Sequence, residues 1–117
     1  MKKLLSFSFV MLALLSVTLN TSCKKETPAE PLASFTFAPD ANDYKTINFT
    51  NASQNYTSVS WDFGDGSAAS TEENPSHTYA TLGEFNVTLT ITGEGGTDTW
   101  LEKVTIADPN AELTKLC

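Results

Sequence analysis

Beyond residue 32, apolar and polar residues alternate with a period of two, which is the pattern of strands that bury one face. No helical i, i+3, i+4 stripe interrupts this alternation, and β-branched Thr and Val are abundant. Short strands with one wet face each predict an all-β domain of two antiparallel sheets packed face to face. The apolar positions of the predicted strands are Phe35, Phe37, Ile47, Phe49, Val59, Trp61, Phe63, Phe85, Val87, Leu89, Ile91, Trp100, Val104 and Ile106.

Turn residues separate these predicted strands. Gly64-Asp65-Gly66 supplies positions that accept a positive φ, so it predicts a tight hairpin after the third strand. Glu94-Gly95-Gly96 predicts a second hairpin between the two longest strands. Asn74-Pro75-Ser76 predicts a turn just ahead of His77-Thr78-Tyr79.

The first 22 residues have a different character. Met1-Lys2-Lys3 is a short basic start, and the run from Leu4 to Leu19 is too short for a typical membrane-spanning helix. The small polar stretch that comes next leads directly into Cys23, and this junction resembles the lipobox of bacterial lipoproteins. The resemblance implies that residues 1–22 are a lipoprotein signal peptide and that Cys23 is lipidated. An ordinary signal peptide that leaves a free Cys in the exported chain is the alternative.

Residues 23–32 are predicted to be the lipidated Cys and a flexible, Pro-containing tether. Each buried methylene of an acyl chain contributes about 0.8 kcal/mol, so several chains on Cys23 would hold the protein at a membrane without a spanning helix. We therefore expect secretion and a lipid-anchored location in the cell envelope, with the outer membrane as the expected site.

Composition and charge exclude some partners. The chain has seven Lys, no Arg and fourteen acidic residues. All fourteen acidic residues lie beyond residue 23. Loss of residues 1–22 with Lys2 and Lys3 would leave five Lys against fourteen carboxylates, a formal charge of −9. Such a surface repels phosphate backbones, so no nucleic-acid partner is expected. The 40% apolar content is enough for the core of one small domain.

Three ordered motifs carry a resemblance to a known family. They are WDFGDGS at 61–67, ENPSHTY at 73–79 and GEFNVTL at 83–89. Together with their spacing they closely resemble the PKD domain, over residues 33–107. The resemblance implies an immunoglobulin-like β-sandwich of about seven antiparallel strands. The family occurs in bacterial surface proteins and as a spacer or accessory module beside secreted glycosidases and proteases.

The motif residues are interpreted first as structural. Trp61 shares a face with Val59 and Phe63, which favours a place in the core over a ligand platform. Asp62 and Asp65 are expected to accept backbone N–H groups in the Gly64–Gly66 turn rather than to bind metal. In this setting the hydroxyl of Tyr79 commonly ties the loop to the backbone, and His77 flanks the same turn.

The sequence gives little support for catalysis or for cofactor binding. His77 is the only histidine, so neither a His-based metal cluster nor a Ser/His/Asp triad has its full set. Paired carboxylates occur at Asp62 and Asp65 and at Glu72 and Glu73, but a turn and a loop on so small a domain offer no cleft. The sequence therefore predicts no enzyme, no cofactor and no metal site.

Calcium binding depends on a different set of residues from the metal sites considered above. Some PKD domains bind it, and Asn51 and Ser53 match the first half of that pattern. The second half falls on residues 54–57, which carry no carboxylate, whereas calcium usually takes more than one. No tight site is expected, and Asp40 and Asp43 could make only a weak one.

Three aromatic residues are candidates for ligand binding. Tyr44 and Tyr56 lie out of phase with the apolar faces, and Trp100 would be exposed if the last strand started late. Such rings could stack on an extracellular glycan or contact a surface protein. The alternative is that the tyrosines cover the rim of the sandwich.

The C-terminal tail, residues 108–117, ends on Cys117 and is too short for a domain. If Cys23 is lipidated, Cys117 has no partner within the chain. The leading hypothesis is a non-catalytic, membrane-anchored lipoprotein whose sandwich binds a partner or acts as a spacer. The alternative is that the chain is truncated, and that the sandwich is the stalk of a larger secreted protein or polysaccharide-degrading enzyme whose functional domain comes after residue 117.

Overall fold

The structure is a computed structural model that describes residues 25–111. The predicted signal peptide, Cys23 and Cys117 lie outside the described residues. The strands are β1 (Phe35–Pro39), β2 (Thr46–Asn51), β3 (Ser58–Asp62), β4 (Ser76–Thr78), β5 (Gly83–Gly93) and β6 (Gly96–Ile106). No helix in the described part of the chain is long and apolar enough to cross a membrane.

The strands form two three-stranded antiparallel sheets, ordered β1-β2-β4 and β3-β5-β6. Two isolated bridges, Leu32 to Gln54 and Trp61 to Ser70, extend these sheets. The predicted all-β sandwich is confirmed. Where about seven strands were predicted, residues 25–111 form six strands and these two bridges.

The core lies between the sheets, as the period-two alternation requires. In β3 the pattern is strict, because Val59 and Trp61 are buried and their neighbours are exposed. In β5 every second residue from Val87 to Ile91 is fully buried. The buried apolar residues are Ala33, Phe35, Ile47, Phe49, Val59, Trp61, Phe63, Tyr79, Val87, Leu89, Ile91, Val104 and Ile106.

The chain after β3 differs from the sequence prediction. The turn Gly64-Asp65-Gly66 has positive φ at both glycines, but it does not join two neighbouring strands of one sheet. Only Ser70 returns to pair with Trp61, and the chain then crosses to the other sheet. There Ser76–Thr78 forms β4 against Thr46–Asn48, at the end of the predicted turn Asn74-Pro75-Ser76, where the sequence indicated no strand. A three-residue strand is too short to show an alternation of its own.

The hairpin between β5 and β6 agrees with the prediction. Gly93 pairs with Gly96, so Glu94 and Gly95 form a two-residue turn, and Gly96 has a φ of 132°. The last strand starts at Gly96, four residues before the first apolar position that marked it in the sequence.

The two ends of the domain lie at opposite poles of the sandwich. The carbonyl of Ala29 packs against Gly95 in the β5–β6 turn, and Asn55 donates a hydrogen bond to the carbonyl of Glu30 at 3.0 Å. The other end leaves from the far end of β6, where Pro109 lies beside the β1–β2 loop. Because β6 is one unbroken strand of 11 residues, these poles are separated by its whole length.

Candidate functional site

Trp61 is the centre of the motif region. It is fully buried, and its ring lies 5.1 Å from the ring of Phe35 and 5.5 Å from that of Phe49. Its indole Nε1–H donates to the carbonyl of Glu72 at 2.9 Å. The residue therefore joins both sheets and also holds the loop between β3 and β4, and it presents no face to a ligand.

The turn after β3 is held by its own aspartates. Asp62 Oδ1 accepts the backbone N–H of Gly64 at 2.9 Å, and Asp65 Oδ1 accepts that of Ser67 at 3.1 Å. Gly64 has a φ of 76°, and a Cβ at this position would collide with the carbonyl of Asn86. The turn thus packs directly onto β5, which is why glycine is required there.

His77 links this turn to β4. Its Nε2 lies 2.7 Å from Asp65 Oδ2, and its ring stacks on Phe63 with the centroids 4.1 Å apart. Partial burial opposes ionisation of Asp65, but hydrogen bonds from Ser67 and His77 outweigh it and lower its carboxyl pKa to about 2. The sequence did not predict this pair, because the two residues are 12 positions apart and belong to different motifs.

Tyr79 closes the same cluster. Its ring is fully buried, and its hydroxyl donates to the carbonyl of Phe63 at 3.0 Å. Burial raises the pKa of this hydroxyl above its usual value, and the nearby charges of Asp65 and Asp62 add to the effect. The motif residues therefore bind one another and brace the chain between the two sheets.

Three of the four carboxylates that were candidates for acid–base chemistry are used within the fold, whereas, among the described residues, Glu72 contributes only backbone groups, including the carbonyl that accepts from Trp61. Glu73 accepts hydrogen bonds from the hydroxyl of Tyr56 and from Asn51 Nδ2, and the first of these raises the pKa of Tyr56. Asp62 and Asp65 hold the Gly64–Gly66 turn. Within residues 25–111, no group of three His, Cys, Asp or Glu side chains converges as a metal site would require.

The candidate calcium ligands also serve the local backbone. Asn51 Oδ1 accepts the N–H of Ser53 at 2.9 Å, and the Ser53 hydroxyl donates to the carbonyl of Ser34. In the β1–β2 loop, Asp43 accepts from the Thr46 hydroxyl and from the N–H of Lys45, which lowers its carboxyl pKa. These contacts explain why oxygen-rich side chains occur at these turns.

The three aromatic candidates are not brought together. Tyr44 and Tyr56 are half-buried and pack against the core from different loops. Trp100 is 45% exposed on β6, where its Nε1–H donates to Glu102 at 3.3 Å. No single platform therefore contains all three rings.

Tyr44 does line an open groove of about 510 Å³ at the pole where the chain leaves β6. Its floor includes Phe37 and Ile47, and the β1–β2 loop forms one wall with Asp40. Tyr56 lines a smaller groove of about 240 Å³, which also contains Glu94 of the β5–β6 turn. Both grooves are shallow and open, so they fit side chains or sugar rings better than an enclosed substrate.

A sandwich of this topology, with its core Trp and braced turn, defines the immunoglobulin-like class of β domains. A PKD domain family model matches residues 28–107, and the chain belongs to the PKD domain family.

The chain is similar to parts of larger proteins. It is 42% identical over 65 residues to a microbial collagenase of Vibrio alginolyticus, across 55% of this chain and 8% of that protein. It is 35% identical over 83 residues to the pre-pro-metalloprotease PrtV of Vibrio cholerae, across 69% of this chain and 9% of that protein. The chain thus spans less than a tenth of the length of these relatives.

A solved structure supports the same assignment. The crystal structure of the PKD1 domain of Vibrio anguillarum Epp is 30% identical, covers 70% of this chain and 99% of its own, and has a TM-score of 0.61. Since that structure consists of the domain alone, a unit of this kind folds without its neighbours. The PKD domain itself is a non-catalytic module, although relatives carry it within proteases.

Proposed function

We propose that this PKD domain is a non-catalytic spacer of a secreted protein, which holds the segments on its N-terminal and C-terminal sides apart. The observation that carries the proposal is the position of its two ends. Residues 29–30 lie at the β5–β6 turn, and residues 107–110 lie at the opposite pole. A domain that the chain enters at one pole and leaves at the other adds its full length, about 35 Å for an 11-residue strand.

The relatives support a role inside a larger protein. A collagenase and a metalloprotease each contain a segment similar to this chain that is only 8–9% of their length. Catalysis in such proteins needs residues outside a segment of this size. We infer that the present domain likewise serves a functional unit elsewhere in the longer protein, which matches the stalk hypothesis better than an independent binding lipoprotein.

The spacer role is tested by displaying an epitope after residue 117 on cells that express the chain behind an unrelated N-terminal membrane anchor, so that the test does not depend on lipidation of Cys23. Deletion of residues 33–107 should lower antibody access to the epitope, because the epitope then lies closer to the envelope. Replacement of the same residues by an unrelated β-sandwich with ends at opposite poles should restore access. If a well-folded replacement leaves access as low as the deletion does, the domain acts through its own surface and the spacer proposal is wrong.

The finer part of the proposal is a lipid anchor on Cys23, which places the protein at the cell envelope. The anchor would fix the chain at the β5–β6 pole and direct the far pole outward. Intact-mass analysis of the membrane fraction should find a chain that begins at an acylated Cys23, and Cys23→Ser should release the protein from the membrane. An unmodified, soluble native chain would contradict the anchor and leave the spacer role standing.

A second candidate function is glycan or protein binding at the groove beside Tyr44. The half-exposed ring over a floor of Phe37 and Ile47 favours this function, since sugar rings and apolar side chains pack on such surfaces. Glycan-array binding that Tyr44→Ala abolishes, and Tyr56→Ala at the other pole preserves, would support it. Equal binding by both variants would assign the signal to another surface.

A further inference from the structure

β6 is an edge strand, and its outer backbone groups have no strand partner among the described residues. The carbonyl of Thr92 accepts a hydrogen bond from Thr57, on the β3 side, at 2.7 Å. Thr92 and Thr97 therefore form a pair without hydrogen bonds between β5 and β6, and the N–H and C=O of Thr97 point outward. The alternation of an antiparallel ladder gives Leu101 and Thr105 the same outward direction.

The side chains along this edge do little to protect it. Trp100 is 45% and Leu101 61% exposed, and they lie on opposite faces of the sheet. Edge strands are commonly protected by Pro, a bulge, an unpaired Lys or inward-pointing charges. β6 contains no Pro, its pairing with β5 is unbroken, and its single Lys, Lys103, is paired with Glu84 at 3.0 Å. Its two inward-facing carboxylates are already engaged within the chain, because Asp98 accepts the backbone N–H of Ala33 at 2.8 Å and Glu102 accepts the indole N–H of Trp100. A long, regular and partly apolar edge of this kind is a template for another strand.

We propose that β6 pairs with β6 of a second copy of this chain, antiparallel, about a two-fold axis at Leu101. The same patch then serves both subunits, as a closed dimer requires. This axis pairs the whole of β6, from Gly96 opposite Ile106 to Ile106 opposite Gly96. The exposed Leu101 side chains meet at the centre, and the dimer joins the two β3-β5-β6 sheets into one.

Charge selects this register over its neighbours. With the axis at Leu101, Trp100 lies opposite Glu102 of the second copy, and Lys103 lies opposite Thr99. The indole Nε1–H of Trp100, which already donates to its own Glu102, then gains a second carboxylate as an acceptor. An axis at Trp100 would set Asp98 directly against Glu102, and an axis at Glu102 would oppose that carboxylate to itself. Like charges directly opposite destabilise a strand pair.

Disulfide cross-linking of introduced cysteines tests this register directly. The fragment of residues 25–111 contains the whole described core and neither native Cys, so an introduced Cys is its only thiol. Leu101→Cys should form a covalent dimer under mild oxidation, because the two Leu101 positions face each other across the axis. Thr105→Cys is the matched control on the same face and edge. It should stay monomeric, since Thr105 lies opposite Thr97 of the second copy.

Sedimentation equilibrium supplies the second measurement. The unmodified fragment should rise from monomer towards dimer mass as its concentration approaches about 1 mM. The rise should be larger at high salt, because the acidic copies repel each other less. Leu101→Lys should keep the fragment monomeric, whereas Leu82→Lys, which changes a leucine 51% exposed outside β6, should not. A monomer at every concentration, or equal cross-linking of the two Cys variants, would overturn the proposal. Neither outcome bears on the spacer role.

Discussion

The two tryptophans occupy matching positions in the same sheet and have opposite environments. Trp61 of β3 and Trp100 of β6 both pair with Leu89 of β5, so the three side chains form one row on the inner face. Trp61 is fully buried, and Trp100 is 45% exposed. The strands of the opposing sheet have only five, six and three residues, and on β6 only Val104 and Ile106 are buried. An inward position therefore buries a side chain only where the opposite sheet reaches it.

The largest expected effect comes from substitution of Trp61, the buried tryptophan of this pair. Trp61→Ala should lower the free energy of unfolding by about 3–5 kcal/mol, because it leaves a cavity between Phe35 and Phe49 and releases the carbonyl of Glu72. Trp100→Ala should cost less than about 1 kcal/mol, since its surroundings are largely water. Urea melts of both variants measure the difference. Similar losses would mean that Trp100 is covered in solution.

The buried part of the sandwich around β3, β5 and the turn after β3 could be predicted from the sequence, because the patterns that indicate it lie within short segments. In β3 buried and exposed residues alternate strictly, and in β5 every second residue from Val87 to Ile91 is buried. The turn after β3 has a positive φ at Gly64 and Gly66, which favours glycine at both positions. The core Trp and the hydrogen bonds of Asp62 and Asp65 to their own turn depend on neighbouring residues. Such features involve a few consecutive positions, so a pattern of residues can reveal them.

The remaining features depend on which segments meet. β4 has three residues and exists because Thr46–Asn48 pairs with it. The hydrogen bond between His77 and Asp65 needs the chain to cross between the sheets, and no spacing within either motif indicates it. The exposure of Trp100 depends on the short strands opposite it, while β6 alternates at its buried end much as β3 does.

Substitutions in the turn Gly64-Asp65-Gly66 should have a smaller effect. Gly64→Ala should destabilise the domain by about 2–4 kcal/mol, because it combines an unfavourable φ with a collision against the Asn86 carbonyl of β5. Gly66→Ala carries a similar φ of 81° but has open space around the added Cβ, so it should cost only about 1 kcal/mol. Thermal melts of the two variants separate the steric contribution from that of the backbone. Equal losses would show that the turn does not press on β5.

The smallest expected effect concerns the negative charge of Asp65, which helps to hold the turn after β3. The Asp65 carboxyl has a pKa of about 2 in the fold, below its ordinary 3.8. Its ionised form therefore stabilises the fold above about pH 4, and this contribution disappears as the pH falls through 2. Asp65→Asn should lower the free energy of unfolding by about 1–2 kcal/mol at pH 7, and the difference from the unmodified domain should vanish near pH 2.

Glu94→Gln is the matched control for this experiment. Glu94 lies in the β5–β6 turn, and its carboxylate accepts no hydrogen bond from the described residues. It should leave the pH dependence unchanged. Urea melts from pH 7 to pH 2 give the comparison. If Asp65→Asn stays as stable as the unmodified domain at pH 7, the hydrogen bond between Asp65 and His77 does not brace the turn. The turn would then be held by the hydrogen bond of Asp62 and by the packing and hydrogen bonds of Trp61 and Tyr79.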